Sequence, residues 1–202
     1  MLRIAFLMLV GDKGKYIGMI LGVAFASFIM TQQPGIFSGL MERTYSLISD
    51  IDLPDIWVMD NDVDYIDDAK TIPETYLYRV ASVEGIAWTK PMHKGNVQVR
   101  LKNGHIQNCN LIGIDDATLI GGPGLMVKGS LDNLRKDSGI IVNEEGANEK
   151  LSLNKEPLKI GDKIEINDNY AVVVGVASTS RTFQSFPVIY TTYSRAKSFV
   201  PP

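Results

Sequence analysis

The sequence predicts an α+β fold: one N-terminal transmembrane helix followed by a mixed α+β extracytoplasmic domain. Three observations point there. Between Tyr16 and Met41 no side chain ionises except the Tyr16 hydroxyl, a run of 26 residues. As a helix rising ~1.5 Å per residue it covers roughly 39 Å, enough for a ~30 Å hydrocarbon core. Beyond Pro54, short strand patterns, turns and a few helical stretches are interleaved, without the regular βα alternation of a doubly wound sheet. A length of 202 residues suits one ordinary domain plus attachments.

Residues 1–15 form the first element. Ile4 to Val10 is apolar but too short to cross a bilayer, and suits a segment lying in the cytoplasmic interface before a turn at Gly11 and Gly14. Residues 16–53 follow as a transmembrane helix extending into the periplasm. Its strongest apolar stretch, Tyr16 to Met30, has signal-peptide length, and Ala24-Phe25-Ala26 offers a small-residue cleavage pattern. Phe28, Ile29 and Met30 come after that tripeptide, so cleavage would fall inside the apolar core. Ile36, Phe37, Leu40, Met41, Leu47 and Ile48 then keep one helical face apolar past Pro34. The expectation is therefore a retained anchor, bent at Pro34 without ending there. Arg3, Lys13 and Lys15 precede the span, whereas Arg43 alone follows it closely. The positive-inside rule places the N-terminus in the cytoplasm and residues from about 42 onward outside.

Within the span, Gly14, Gly18, Gly22 and Ala26 recur at every fourth position. Gly18, Gly22 and Ala26 are the candidate helix-packing residues, because small side chains let a second helix approach closely in lipid. The compositional alternative is that glycine is common in membrane helices.

Residues 54–202 read as the outer domain, with a subdomain inserted near 115–165. Asp55 to Asp60 reads as a strand leaving Pro54. Pro73-Glu74 starts a helix through about Val83, stopped by Gly85. Ile86 to Thr89 and Asn96 to Leu101 are strand-like, and Lys102-Asn103-Gly104 turns into a strand from His105 to Ile114. Gly139 to Asn143 reads as a strand and Glu144 to Leu151 as a short helix. Gly161 to Ile166, a turn at Asn167-Asp168-Asn169 and Tyr170 to Val176 form a second hairpin. Ser185 to Tyr190 is a last strand and Tyr193 to Val200 a closing helix.

A formal net charge of −3 gives no basic stripe for phosphates, so nucleic acid is not an expected partner. One cysteine, Cys109, precludes a disulfide within the chain. Asp60-Asn61-Asp62-Val63-Asp64 imitates the start of a calcium loop, but Tyr65 and Thr71 stand where that loop needs Gly and Glu. It reads as a solvated acidic turn. Gly121-Gly122-Pro123-Gly124 and the following run to Ser130 lack the phosphate-binding lysine after the second glycine, and read as a loop. Cys109 and His105 lie roughly 13 Å apart along a strand, far beyond the ~3 Å of a nucleophile and its base. His93 has no carboxylate at useful spacing. No catalytic residue, cofactor or metal is therefore expected, and the chain reads as non-enzymatic.

A set of segments in order carries a family resemblance. They are Asp12 to Lys15 before the span, Leu21 to Ala26 within it, and Pro54 to Met59 after it. Tyr78-Arg79-Val80, Val83 to Trp88, Asn110 to Asp116, Ile160-Gly161-Asp162, Val173 to Val176 and Phe183 to Tyr190 complete it. Through them the chain resembles the N-terminal half of an ABC transporter permease of the MacB/FtsX class, most closely the DevC-like exporters. The resemblance implies a MacB-like periplasmic core domain between the first and second of four membrane helices. It also implies a cytoplasmic ABC ATPase subunit, a periplasmic membrane-fusion adaptor, a second permease copy and the lipid bilayer of the cell inner membrane as partners. Its implied function is export or mechanotransmission, with ATP hydrolysis on the separate subunit. The family continues into further spans where this sequence stops at Pro202, so the expectation is a fragment or truncated reading frame. The competing expectation is a single-span, membrane-anchored extracytoplasmic binding or interaction domain without a transporter.

Overall fold

The computed structural model describes residues 2–51, 53–63, 68, 70–152, 156–180, 182 and 184–200. The chain divides into two compact units, Met1–Glu42 and Arg43–Pro202.

In the first unit α1 (Leu2–Gly11) is followed after one residue by α2 (Lys13–Ser49), which runs on past the unit boundary. Asp12 makes the break. Its Oδ1 accepts a hydrogen bond from Lys15 N at 3.3 Å, and its carbonyl accepts from Tyr16 N at 3.0 Å. A short carboxylate side chain there satisfies an amide that the first helical turn leaves open. The expected turn at Gly11 and Gly14 is thus a single-residue break, and Gly14 lies inside α2. Pro34 also lies inside α2. Lacking an N–H, it forgoes one ladder bond without ending the helix. The 37 residues of α2 extend about 55 Å at ~1.5 Å per residue. Its stretch Lys13–Ser46 has a mean hydropathy of 1.5, and none of its most apolar window is buried.

The second unit is built on seven strands: β1 (His93–Arg100), β2 (Ile106–Ile114), β3 (Leu125–Gly129), β4 (Gly139–Asn143), β5 (Lys163–Ile166), β6 (Asn169–Ser178) and β7 (Val188–Thr192). They order as β3-β6-β4-β7-β2-β1-β5, and β5 pairs with β6 as well. Six strands therefore close on one another. Strand β6 makes this possible by its length: Asn169 to Val172 pair with β5, and Gly175 to Ser178 pair with β3 along the same edge. Strand β4 runs parallel to β6 on its other edge. Full closure removes most of the open sheet edge.

Alternation along the strands sorts the core into two layers. Val97, Val99, Cys109, Leu111, Ile140, Val142, Ile166, Val173 and Ile189 form one cluster, joined by Ala196 and Phe199 of α4 (Tyr193–Phe199). Their neighbours Ile112, Ile114, Ile141, Val174 and Tyr190 point the other way, into a second cluster with Ile51, Leu119 and Leu134. Gly113 lets α4 lie against β2, because a Cβ there would stand 2.4 Å from Ala196 Cβ. The β5–β6 turn has Asn167 and Asp168 at φ of 44° and 64°, the double positive φ of a two-residue hairpin matched to strand twist. Asn167 also accepts from Gln98 N at 3.0 Å and donates to Phe199 O at 2.9 Å. One turn residue thereby ties β1 and α4 to the hairpin.

Both hairpins, β4, β7 and the closing helix follow the pattern read from sequence. The helix after Pro73 is α3 (Thr75–Ala81), with Gly85 at φ 91° beyond it. Glu144 to Lys150 is helical and finishes in a π turn, Gly146–Lys150.

Three expectations are corrected. Asp55–Asp60 and Ile86–Thr89 are not strands. β-branched and aromatic residues favour a pleated surface only where an edge accepts them, and no edge of this sheet receives either segment. Gly124 to Ser130 is no loop: Leu125–Gly129 forms β3, with Leu131–Arg135 as a 3-10 turn after it. Part of the segment 115–165 contributes β3, β4 and the start of β5 to the one sheet.

Candidate functional site

The membrane-packing candidates Gly18, Gly22 and Ala26 lie on α2 at four-residue spacing, all exposed. A Cβ added to Gly18 or Gly22 would meet no atom within 4 Å.

In the outer unit the end of α2 is fastened to the sheet. The Asp50 carboxylate accepts hydrogen bonds from Ser180 N at 2.6 Å and Ser180 Oγ at 2.9 Å, and the Asp50 carbonyl accepts from Gly124 N at 3.3 Å. Ser180 follows β6 and Gly124 precedes β3, so both bonds reach the same end of the β3–β6 pair. Next in the chain, Ile51 is buried in the second of the two core clusters, the outer core cluster. Hydrogen bonds to a charged acceptor contribute roughly 1.5–3 kcal/mol each when well formed and shielded. Thr179 Oγ1, Thr182 Oγ1 and Tyr190 Oη, at the same joint, are buried without a partner among the described residues. Burial, then the nearby Asp50 charge, push the Tyr190 hydroxyl pKa above its ordinary value. No sequence pattern links Asp50 to Ser180, which stand 130 positions apart.

A second feature is an apolar cleft of about 370 Å³, walled by Pro54, Ile56 and Val58 on one side and by Tyr76, Leu77 and Val80 of α3 on another, with Trp57, Trp88 and Met92 among its lining residues. Trp57 also packs on the outer core cluster. Beside the cleft, Glu74 Oε1 accepts from Tyr193 Oη at 2.9 Å and from Lys197 Nζ at 2.6 Å, joining the start of α3 to α4. The Lys197 hydrogen bond, then that of Tyr193, hold the Glu74 carboxyl below its ordinary value, and Glu74 raises Lys197 in turn. The sequence predicts the helix but neither this triad, in which Glu74 stands 119 and 123 positions from its two partners, nor the cleft, whose walls at 54–58 and 76–92 no local pattern brings together.

The chemistry weighed from sequence separates in space or is occupied structurally. Cys109 is fully buried inside the sheet, and burial pushes its thiol up, far from a nucleophile's range. His105 is exposed beyond the β1–β2 turn. Burial, then Lys197, lower His93. Asp60 Oδ1 accepts from Asp62 N at 2.9 Å, a local turn closed on itself, while Asp64 lies outside the described residues. Among the described residues no three His, Cys, Asp or Glu side chains gather as metal ligands.

The family described as the MacB-like periplasmic core domain matches residues 16–201. Comparison with curated proteins gives no match. Among solved structures, the extracellular domain of the noncanonic ABC-type transporter YknZ from Gram-positive bacteria aligns at 14% identity and a TM-score of 0.47, over 63% of this chain and 65% of that one. The periplasmic region of MacB from Actinobacillus actinomycetemcomitans aligns at 19% identity and a TM-score of 0.43, over 59% of this chain and 54% of that one. The alignments thus span less than two thirds of either solved chain, and at these scores the assignment rests on the family match. With that match running from the apolar helix through the last strand and closing helix, the chain belongs to the MacB-like periplasmic core domain family.

Proposed function

We propose that this chain is a permease subunit, or the N-terminal part of one, in an ABC-type export or mechanotransmission complex. Residues 1–15 lie in the cytoplasmic interface, 16–53 span the inner membrane and extend outward, and 54–202 stand in the periplasm. A cytoplasmic ATPase supplies the energy, a second permease copy packs alongside, and a periplasmic adaptor receives the movement. The chain itself carries no catalytic step.

One observation carries this reading: an apolar helix unbroken from Lys13 to Ser49, followed at once by Asp50, whose hydrogen bonds grip the outer sheet. A helix so fastened has the means to pass a displacement into the fold it precedes. Co-purification from membranes tests the proposal. An ATPase and an adaptor recovered with the chain in mild detergent support it; recovery of the chain alone across several mild detergents counts against it. Protease protection in sealed vesicles checks the sidedness, with Met1 and the residues beyond Asp55 expected on opposite faces.

Gly18, Gly22 and Ala26 form the proposed contact with a neighbouring membrane helix, supported by their spacing and open surroundings. Gly18→Leu and Gly22→Leu are expected to cut cross-linking between assembled subunits severalfold, with Ile20→Leu unchanged. Equal cross-linking in all three removes the packing role.

A further inference from the structure

Two described segments, Leu53–Met59 and Tyr76–Met92, concentrate unusual features around the cleft. Leu53 to Met59 makes no hydrogen bond through backbone or side chain among the described residues, although Ile56-Trp57-Val58-Met59 is a strand-forming sequence. Trp57 is half-buried on the outer core cluster and holds the segment to the fold. Its neighbours Ile56 and Val58 are exposed, Ile56 by 66%, and so are Met59, Tyr78 and Trp88. The cleft of about 370 Å³ lies between this segment and α3, a size fit to receive an anchoring side chain.

Charge decides what fits. Among the described residues between Leu53 and Met92 stand six carboxylates, Asp55, Asp60, Asp62, Asp68, Glu74 and Glu84, against Lys70, Arg79 and Lys90, and Lys197 of α4 pairs with Glu74. A second copy would bring the same negative surface, and an anionic membrane would be repelled as well. The complement is basic.

We infer that Leu53–Met59 and the adjoining cleft dock a segment of a separate polypeptide, apolar at its centre and basic at its flanks. The segment pairs its backbone with the open amides and carbonyls of Ile56–Met59 and places one apolar side chain in the cleft. Strand addition of this kind takes affinity from main-chain hydrogen bonds and selectivity from the pocket. The inference rests on the periplasmic placement proposed above and deepens it, by saying where a protein partner sits and what its surface carries.

Photo-cross-linking in intact cell membranes tests it. A benzoylphenylalanine is placed at Ile56 or Val58, with Ile106 and Ile160, exposed elsewhere in the same unit, as control positions. The expected result is an adduct with one polypeptide other than this chain, at Ile56 and Val58 only. Its cross-linked peptide should bear Lys or Arg on both sides of an apolar residue. Asp55→Lys and Glu84→Lys, both at exposed positions, should lower adduct yield at least fivefold while the tryptophan melting curve stays unchanged. Adducts with a second copy or with lipid, equal yields at the control positions, or yields indifferent to the charge reversals overturn the inference. ATPase association is read in the same membranes. If it persists without any adduct at Ile56 or Val58, the docking surface alone is overturned; if both are lost, the permease reading falls with it.

Discussion

The two units of the chain treat the same kinds of side chain in opposite ways. On α2, Phe25, Phe28 and Met30 are exposed, Phe28 by 60%, and apolar residues occur all round the helix. In the outer unit Leu111, Ile140 and Ile189 are wholly inaccessible, and each lies on a strand whose alternate residues face a different layer. A helix that is apolar on every side needs an apolar environment such as lipid or other helices, whereas alternating strands make their own interior by closing on one another. Hydrophobicity alone does not distinguish these cases; its period along the chain does.

The largest expected effect breaks the comparison at its strongest point. Leu111→Ala empties a site inside the closed sheet and should cost the outer unit about 3 kcal/mol, within the ~2–5 kcal/mol usual for such truncations. Phe25→Ala on α2 should leave the outer unit's stability unchanged. Thermal melting followed by tryptophan fluorescence separates the two, since both tryptophans, Trp57 and Trp88, lie in the outer unit. Equal losses in the two variants would mean that the units do not fold independently.

A smaller effect is expected where the helix meets the sheet. Asp50→Ala removes both hydrogen bonds to Ser180 and should cost about 1–3 kcal/mol. Ser180→Ala removes only the hydroxyl bond and should cost less. In a double-mutant cycle the two should couple, as residues in direct contact do; strict additivity would show that the joint contributes no shared energy.

The smallest effect is a pH dependence confined to the outer unit. His93 is lowered from 6.5 by burial and by Lys197, so folding favours its neutral form. Its stability contribution is complete above pH 6.5 and declines as pH falls through 6.5 toward the lower folded value. The melting temperature should therefore drop between pH 7.5 and 5.5, and His93→Gln should flatten part of that slope. A slope identical in the variant assigns the dependence elsewhere.

Much of this was legible from local pattern. The apolar run from Tyr16, the Asn167-Asp168 turn, the strand Gly139–Asn143 and the helix start at Pro73 each depend on residues close together in the chain. Periodicity and turn chemistry report such features directly. The failures share a different cause. Asp55–Asp60 has strand composition but no pairing edge, and Leu125–Gly129 looked like a loop yet pairs with β6 because that strand outruns β5.

By itself, then, the sequence determined the long helix and both hairpins, since these follow from neighbours a few positions apart. Only the tertiary structure decided that six strands close, that Asp50 reaches Ser180, and that the cleft opens beside Ile56. Each of those depends on segments apart in the chain, from residues 54–58 against 76–92 at the cleft to the 130 positions between Asp50 and Ser180, and the residues on one side carry no mark of their partners on the other.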